Sequence, residues 1–352
     1  MLRIAGWLVL AAHLLLFLSA QATATPALVV DVESSQVLYD EDAGRPWYPA
    51  STTKLMTAFV VFEALRQGRV TMDTTVVLSR NAANQAFLKS GLRAGSAMTL
   101  EDALYAVIVG SANDVAVALA ETVAGAEEAF VKMMNEAAAR LGMTASHFEN
   151  PNGLFNPSQQ VSARDLALLG IAVDRQFPEH RRFFRTSRVI IDGRNIDSLN
   201  HLLARYPGTI GLKTGFICAS GRNIVALAER SGRKVMVVLL GATTDRERNE
   251  RTAQFFNQAF AGALRPMGAT LLDLPNDAGK QPEDMRVRLC SDQAAAYERS
   301  REALYPMGLP GNESFLNAPG QILVHEIRTW TMPVTGPVPI PTPRPPYPAA
   351  SR

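Results

Sequence analysis

The alternation of apolar and polar residues near the start of the chain predicts a β-hairpin. The apolar runs Ala27–Val32 and Gln36–Tyr39 are separated by Glu33-Ser-Ser35. Two more apolar runs, Asn223–Ala228 and Lys234–Leu240, flank Ser231-Gly232 and predict a second pair of strands. The segment Thr209–Lys213, just before them, is expected to be extended.

The middle of the chain carries helical periodicity instead. Between Ser51 and Gln67 the apolar residues recur every three or four positions, and Gly68 ends the pattern. Thr99-Leu-Glu-Asp102 resembles a capping box, and Ser162 is placed to cap a later helix. Further helices are predicted over residues 99–109, 114–123, 126–141, 162–173 and 245–261.

Strands therefore lie at both ends of the main domain, with a helical block between them. This order favours an α+β fold, in which strands distant in sequence share one antiparallel sheet flanked by helices, with a helical subdomain. Repeated βαβ units are not indicated.

The first 24 residues have the pattern of an export signal. Arg3 precedes an uncharged run from Ile4 to Leu18, and both Ala20-Gln-Ala22 and Ala22-Thr-Ala24 fit a small-x-small cleavage site. A retained membrane anchor is the alternative, although a spanning helix needs about 20 apolar residues. We expect residues 1–24 to be a signal peptide and the protein to be exported to the periplasm or cell envelope.

The chain changes character again from about Pro266. Residues 266–352 form a C-terminal extension with short apolar runs and no strong periodicity, and residues 333–348 contain eight prolines. Such a proline density predicts an extended, disordered tail from about residue 333, with a recognition segment as the alternative. The serine-enzyme domain described below is expected to span residues 25–265.

Charge and cysteine content exclude some classes of function. The formal net charge is +2, without blocks of basic residues, so the sequence gives no indication of nucleic-acid binding. No cluster of residues has metal-ligand spacing and no glycine loop fits a phosphate, so no cofactor or metal is expected. Cys218 and Cys290 allow either one disulfide or two free thiols, and both options remain open.

Three short motifs indicate the chemistry. Ser51-Thr-Thr-Lys54 is followed 60 residues later by Ser111-Ala-Asn113, and Lys213-Thr-Gly215 follows 102 residues after that. This trio is shared by penicillin-binding proteins and class A β-lactamases, and it predicts a serine acyl-transfer enzyme.

Ser51 and Lys54 lie three residues apart at a predicted helix start, so their side chains share one face. A serine hydroxyl needs a base, and lysine can act as one only when its pKa falls well below about 10.4. Burial and a second cation, here Lys213, both lower a lysine pKa. Histidine is the usual base of serine enzymes, but the four histidines after the predicted signal peptide belong to no serine-enzyme motif. We interpret them as surface or packing residues: His147, His180, His201 and His325.

Ser111 and Asn113 are expected in a break between two helices, facing the same cleft. Ser111 can relay a proton to a leaving group, and Asn113 can bind a substrate amide. The alternative role of Asn113 is to cap the next helix, and the two roles are compatible.

The third motif is expected to bind substrate. Lys213 and Thr214 offer hydrogen-bond donors to a carboxylate, and Gly215 has no side chain to obstruct a substrate alongside. The backbone N–H of Phe216 could form an oxyanion hole with that of Ser51.

Arg248 is the last candidate site residue. It lies in the charged run Asp245–Asn249, where its guanidinium could clamp a substrate carboxylate. A solvated helix start is the alternative, and the sequence does not separate the two.

Taken together, these motifs resemble the low-molecular-mass penicillin-binding proteins that act as serine-type D-alanyl-D-alanine carboxypeptidases. The resemblance covers residues 27 to about 262 and includes five segments: Pro49–Thr57, Gly110–Asp114, Asn150–Leu154, Ser162–Asp165, and Arg205–Gly208 leading into Gly211–Gly215. It implies a β-lactamase/transpeptidase-like fold. It also implies Ser51 as nucleophile and Lys54 as base.

The same resemblance places the second-motif residues at Ser111 and Asn113, and carboxylate binding at Lys213, Thr214 and, less directly, Arg248. The implied reaction is removal of the terminal D-alanine from peptidoglycan stem pentapeptides, with covalent trapping by β-lactams. Two departures stand out. Ala112 replaces a glycine common in relatives, and the C-terminal region lacks the β-sandwich and terminal amphipathic helix that attach relatives to the membrane, so membrane association stays open.

Three other functions were weighed. A β-lactamase needs a carboxylate to activate the deacylating water, and neither Asp197-Ser-Leu-Asn200 nor Glu149 fits the usual Glu-x-x-Leu-Asn pattern. A non-catalytic cell-wall binding protein would have lost motif residues that this chain retains. A DD-endopeptidase would use the same chemistry in a differently shaped cleft.

Overall fold

A five-stranded antiparallel sheet forms the centre of the protein. The computed structural model describes residues 25–277 and 279–333. In spatial order the strands are β2 (Val37–Glu41), β1 (Ala27–Asp31), β9 (Arg233–Ala242), β8 (Gly221–Arg230) and β7 (Thr209–Ile217). The first and last strands of the domain thus pair in the middle of the sheet, and β7 lies at one edge. This confirms the α+β fold with one antiparallel sheet.

Helices cover both faces of this sheet. The helices of the described residues are α1 (Lys54–Arg66), α2 (Arg80–Ala83), α3 (Leu100–Ile108), α4 (Asn113–Ala124), α5 (Glu127–Arg140), α6 (Ala163–Gln176), α7 (Arg181–Arg185), α8 (Leu202–Arg205), α9 (Asp245–Phe260), α10 (Arg286–Cys290) and α11 (Ala294–Leu304). Two short 3₁₀ turns, Ala50–Thr53 and Pro178–His180, precede α1 and α7.

Strand β1 shows how the two faces are filled. Leu28 and Val30 belong to the larger core, which also contains the buried residues of α1 and α3–α6. Ala27 and Val29 point the other way, into a smaller core with α9. Because side chains alternate between the faces of a strand and both faces are covered, the first four residues of β1 form a continuous apolar run.

Two small sheets complete the fold. One has the order β10 (Val324–Ile327), β5 (Arg188–Ile191), β6 (Arg194–Asp197), and the other β11 (Trp330–Thr331), β4 (Ser96–Thr99), β3 (Thr75–Val77). None of these strands is evident from the sequence pattern. Each has at most four residues, which is too short for a period-two pattern to be distinctive.

The predicted helix caps can be compared directly. The Thr99 side chain accepts a hydrogen bond from the Asp102 N–H, and that of Ser162 from the Asp165 N–H, as predicted. The capping box at Thr99 is only half formed, however. The Asp102 carboxylate lies 2.7 Å from Nε2 of His325 in the extension. This tertiary contact takes the place of the hydrogen bond to the Thr99 N–H that would complete the capping box.

The extension lies along the surface of the preceding domain. Met285 is fully buried in the larger core, and Arg301 pairs with buried Glu247 of α9 at 2.6 Å. Strands β10 and β11 each add to a sheet of the main domain. The extension therefore contributes to the fold of the domain through these contacts.

Two sequence-based expectations fall outside the described residues: the signal peptide at 1–24 and the tail beyond residue 333. Within residues 25–277 and 279–333, none of the helices has the length and apolarity required to cross a bilayer.

Cys218 and Cys290 form a disulfide, with Cα atoms 5.9 Å apart. This resolves the alternative that the sequence left open. The bond ties the turn after β7 to the C-terminus of α10, across 72 residues of chain.

We expect the double substitution Cys218→Ser/Cys290→Ser to lower the free energy of unfolding by about 2–5 kcal/mol, because the cross-link restricts the unfolded chain. Denaturant titration measures this change. Wild-type protein assayed with a thiol reductant should match the variant, and a variant as stable as the oxidised wild type would contradict the prediction.

Candidate active site

Ser51 lies in the 3₁₀ turn that leads into α1. Just before it, Ala50 adopts a positive φ of 49°, a conformation that costs an alanine energy and persists only where the surrounding structure imposes it. The preceding loop is fixed by Asn223 of β8, whose side-chain Nδ2 donates to the carbonyls of Tyr48 (2.9 Å) and Pro49 (3.1 Å). A side chain of the central sheet thus helps to hold the serine in place.

Lys54, one turn later, is completely buried. Its Nζ lies 2.9 Å from Ser51 Oγ. It also lies 2.6 Å from Asn113 Oδ1 and 2.5 Å from the Asn152 carbonyl oxygen. The orientation of the Asn113 amide is determined by its other end, since Nδ2 donates to the Ala86 carbonyl at 2.9 Å.

These contacts suit a neutral amine. A neutral lysine has two N–H donors and one lone pair, whereas an ammonium has three donors and no lone pair. An ammonium would donate to all three oxygens, whereas in the neutral form the oxygens of Asn113 and Asn152 accept the two N–H groups and the lone pair is free to accept from the Ser51 hydroxyl. The arrangement can therefore remove a proton from Ser51.

The electrostatic surroundings favour the same protonation state. Burial lowers the pKa of Lys54 well below its usual 10.5, and the charge of Lys213 lowers it further. Asp114 opposes this shift. The Asp114 carboxylate is itself occupied by the Ser90 N–H and hydroxyl at 2.7–3.0 Å, so it is already partnered.

Ser111 occupies the break between α3 and α4, with a positive φ of 55°. Its hydroxyl oxygen accepts a hydrogen bond from Lys213 Nζ at 3.0 Å. The same Nζ donates to the Thr214 carbonyl at 3.0 Å. The second and third motifs are thereby brought together.

Asn113 is the first residue of α4, and its side chain caps nothing. The N-cap is Ala112, which makes no side-chain cap hydrogen bond. Instead, both ends of the Asn113 amide are used to position Lys54 and the loop at Ala86. The capping alternative for Asn113 is therefore wrong.

Lys213 is buried, and its pKa is lowered to about 7, first by burial and then by the charge of Arg248. Near neutral pH it can therefore either give or hold a proton.

Arg248 is buried, with only 1% of its surface exposed. The alternative that it is a solvated residue at a helix start is therefore wrong. Its Nη1 pairs with Asp245 at 2.9 Å, and its Nη2 donates to the Leu199 carbonyl at 2.8 Å. Burial lowers the pKa of Arg248 to about 10. These contacts hold a second cation close enough to Lys213 to act on its pKa.

Gly215 approaches the serine more closely than any other residue type could. A Cβ atom there would lie 2.8 Å from the Ser51 nitrogen and 2.9 Å from that of Thr52. The sequence analysis gave Gly215 a role in admitting substrate. The structure shows an additional reason for glycine, because β7 packs directly on the peptide of Ser51. Phe216, the next residue, is 44% exposed.

The turn Asn150-Pro-Asn-Gly153 is indicated in the sequence only as part of the family resemblance. It packs on the same peptide from another direction, since a Cβ at Gly153 would lie 1.9 Å from the Ala50 carbonyl oxygen. Its backbone carbonyls hold Lys54 and the hydroxyl of Thr57 (2.5 Å to Pro151 O). Backbone acceptors of this kind leave no trace in side-chain identity, which is why the sequence did not reveal them.

Asn223 was also missed as a site residue. The only signal was a polar residue at the start of an otherwise apolar strand. Within the described parts of the chain, no group of three or more His, Cys, Asp or Glu side chains is arranged to hold a metal ion.

The chain is similar in sequence to a family of known enzymes. A family model for D-alanyl-D-alanine carboxypeptidase, peptidase S11, matches residues 16–244. D-alanyl-D-alanine carboxypeptidase DacF of Bacillus subtilis is 32% identical over 244 residues, which is 68% of this chain and 62% of that protein. The chain spans similar shares, 60% and 59%, of two further curated relatives.

Two solved structures are also similar. Penicillin-binding protein 5 of Haemophilus influenzae aligns with a TM-score of 0.65 at 30% identity, over 68% of this chain and 71% of that one. Penicillin-binding protein D2 of Listeria monocytogenes in its cefotaxime-bound form aligns with a TM-score of 0.62 at 31% identity, over 68% and 97%. With the family model covering most of the chain and the fold shared, the chain belongs to the peptidase S11 family of D-alanyl-D-alanine carboxypeptidases.

Proposed function

We propose that this protein is a serine DD-carboxypeptidase that removes the terminal D-alanine from peptidoglycan stem pentapeptides through an acyl-enzyme on Ser51. The observation that carries the proposal is the buried amine of Lys54, 2.9 Å from Ser51 Oγ with its other contacts made to acceptor oxygens. Family membership and the named activity of the relatives support the choice of substrate.

Acylation begins when neutral Lys54 takes the Ser51 proton and Oγ attacks the carbonyl carbon of the penultimate D-alanine. The carbonyl π electrons move to oxygen, and the N–H groups of Ser51 and Phe216 stabilise the oxyanion. The close packing of Gly215 on Ser51 supports this assignment, because it places the backbone of β7 beside the serine N–H.

The intermediate collapses when the C–N bond breaks and the amine of the leaving D-alanine takes a proton. Ser111 supplies that proton and recovers one from Lys213, whose pKa of about 7 suits the transfer. Lys213 and Thr214 bind the terminal carboxylate of the substrate. Arg248 adds positive charge at this end of the cleft while its own donors stay on Asp245 and Leu199.

Hydrolysis repeats the chemistry with water as nucleophile. Before this step Lys54 releases the proton that it took from Ser51 to solvent, and Lys213 regains one from solvent. Neutral Lys54 then accepts a proton from water as the water oxygen bonds to the acyl carbon. The bond between the acyl carbon and Ser51 Oγ breaks, and Lys54 returns the proton to Ser51. A β-lactam follows the same first step, but its leaving amine stays attached to the acyl group and obstructs water. The similar Listeria protein has been solved in a cefotaxime-bound form, which supports the proposal that this chain binds such compounds.

The β-lactamase alternative gains no support from the carboxylates named in the sequence analysis. Asp197 pairs with Arg188 at 2.5 Å, and Glu149 lies 2.9 Å from His147 Nε2. Neither is among the hydrogen-bond partners of Ser51 or Lys54 in the described structure. A long-lived penicilloyl adduct is therefore expected. The cell envelope is the proposed location, in keeping with the export signal and the cell-wall substrate.

Ser51→Ala should abolish both release of D-alanine from a pentapeptide and covalent attachment of a labelled penicillin, because the acyl acceptor is gone. Lys54→Met should lower both rates by at least about 100-fold, the usual contribution of a general base. Mass spectrometry of the adduct and of the peptide product measures both. Release of D-alanine by folded Ser51→Ala protein would contradict the proposal.

Gly215→Ala should slow acylation by a labelled penicillin by about 100-fold, since a displacement near 1 Å at the reacting atoms has effects of that size. Gly279→Ala is the matched control, because a Cβ there meets only an Asp277 oxygen at 3.7 Å. Equal acylation rates for the two variants would show that β7 does not position Ser51.

The pH dependence of acylation should report the pKa of Lys54. The rate rises with pH as Lys54 loses its proton, and Lys213→Met removes a cation that lowers this pKa. The acidic limb of the profile should therefore move to higher pH in Lys213→Met.

Ser111→Ala is the control for the pH experiment, because it removes the hydrogen-bond partner of Lys213 without removing the charge. It should lower the rate but leave the limb near its wild-type position. An unmoved or acid-shifted limb in Lys213→Met would contradict the charge coupling between the two lysines.

A further inference from the structure

Residues 283–290 of the extension contact three segments that surround Ser51. Glu283 pairs with Arg45, in the loop before the serine, at 2.8 Å. The Met285 N–H donates to the carbonyl of Ala219, in the turn after β7, at 3.0 Å. The Cys218–Cys290 disulfide fixes the same turn. This part of the extension is therefore anchored next to the site.

Arg286 contacts the third segment, which contains Phe155. Its guanidinium lies 4.4 Å from the ring centre of Phe155, and that ring lies 5.3 Å from the ring of Tyr48. Phe155 is 40% exposed, and the Arg286 side chain is half exposed. The result is an accessible cation stacked on an accessible aromatic face.

This stack is close to Ser51 along the chain and in space. Tyr48 lies three residues before Ser51, and Phe155 lies two residues after Gly153, which packs on the Ala50 carbonyl. A comparable stack stands at the other glycine, where Arg222 lies 4.6 Å from the ring centre of Phe216. Each of the two glycines that contact the serine turn is thus followed within two residues by an exposed phenylalanine with an arginine on its face.

The guanidinium of Arg286 retains binding capacity. Asp284 holds it through Nε (2.8 Å) and Nη2 (2.5 Å), which fixes its orientation. Among the described residues no hydrogen bond engages Nη1. The two N–H donors of Nη1 on this fixed, half-exposed guanidinium are therefore available to an oxygen ligand.

We propose that Arg286, supported by Phe155 and Asp284, is a specificity-determining residue that binds a carboxylate on the acyl-side portion of the stem peptide. The inference rests on the proposed carboxypeptidase function. The terminal carboxylate of the substrate is already taken by Lys213 and Thr214 on β7, so the group that meets Arg286 is a different one. Because the family model ends at residue 244, the residue belongs to a part of the chain that the family match does not include.

The chemistry defines the preferred substrate. A side chain that ends in both a carboxylate and an ammonium offers an acceptor to Arg286 and a donor to Asp284. A lysine side chain at the same position offers only the donor. Selection between the two is expected to be moderate, because the ion pair is partly exposed to solvent.

The test uses two pentapeptides that differ only in this side chain, one ending in carboxylate and ammonium and the other in ammonium alone. Wild type, Arg286→Ala, Arg286→Lys and Arg299→Ala are compared by D-alanine release. Arg299, an exposed arginine of α11, is the matched control. Arg286→Ala should raise KM for the carboxylate-bearing peptide by about two- to fivefold with kcat unchanged. Its values for the lysine peptide should equal those of wild type.

Arg286→Lys should recover part of the lost affinity, and Arg299→Ala should behave as wild type with both peptides. An equal loss on both peptides, or a fall in kcat, would show that Arg286 only supports the fold and would overturn the inference. No loss on either peptide would overturn it as well. Failure of the proposed function looks different, since wild type itself would then release no D-alanine from either peptide.

Discussion

The burial of the Lys54 amine among neutral acceptors governs the arrangement around Ser51. Its hydrogen-bond partners in the described structure are a hydroxyl, an amide oxygen and a backbone carbonyl. An ammonium in such surroundings is costly, so the group lowers its pKa instead. The resulting neutral amine can act as a base towards Ser51. Helix α1, the start of α4 and the turn at residues 150–153 each supply one part of the enclosure.

A second constraint is how closely the backbone approaches the serine. Gly215 and Gly153 remove side chains at two points where the peptide of Ala50 and Ser51 is packed from different directions. Such close packing is maintained only if the segments around the Ala50–Ser51 peptide are held rigidly. The extension provides it on one side, because the disulfide and the buried Met285 tie it to the turn that follows β7. The same segment also carries Arg286, so structural support and proposed substrate selection share one element.

The long secondary-structure elements and the three catalytic motifs could be predicted from the sequence. The short strands and the tertiary contacts of the site could not. Long periodic segments such as α1, β8 and β9 fix their own secondary structure, and the three motifs fix the site because each residue type is chemically required. The short strands β3–β6 depend on partners far along the chain, which local patterns do not contain. The burial of Arg248 and the carbonyl of Asn152 at Lys54 are likewise tertiary facts. The disulfide was one of two open options until the fold brought the cysteines together.

The most direct test of the account is an NMR titration of the Lys54 side-chain nitrogen in ¹⁵N-lysine-labelled protein, with the signal assigned from the Lys54→Met variant. The account predicts that this nitrogen titrates well below the usual lysine pKa of 10.5. It also predicts a higher pKa when Lys213 is replaced by methionine. A Lys54 that remains an ammonium up to about pH 10 in the wild type, as a solvated lysine does, would contradict the central claim.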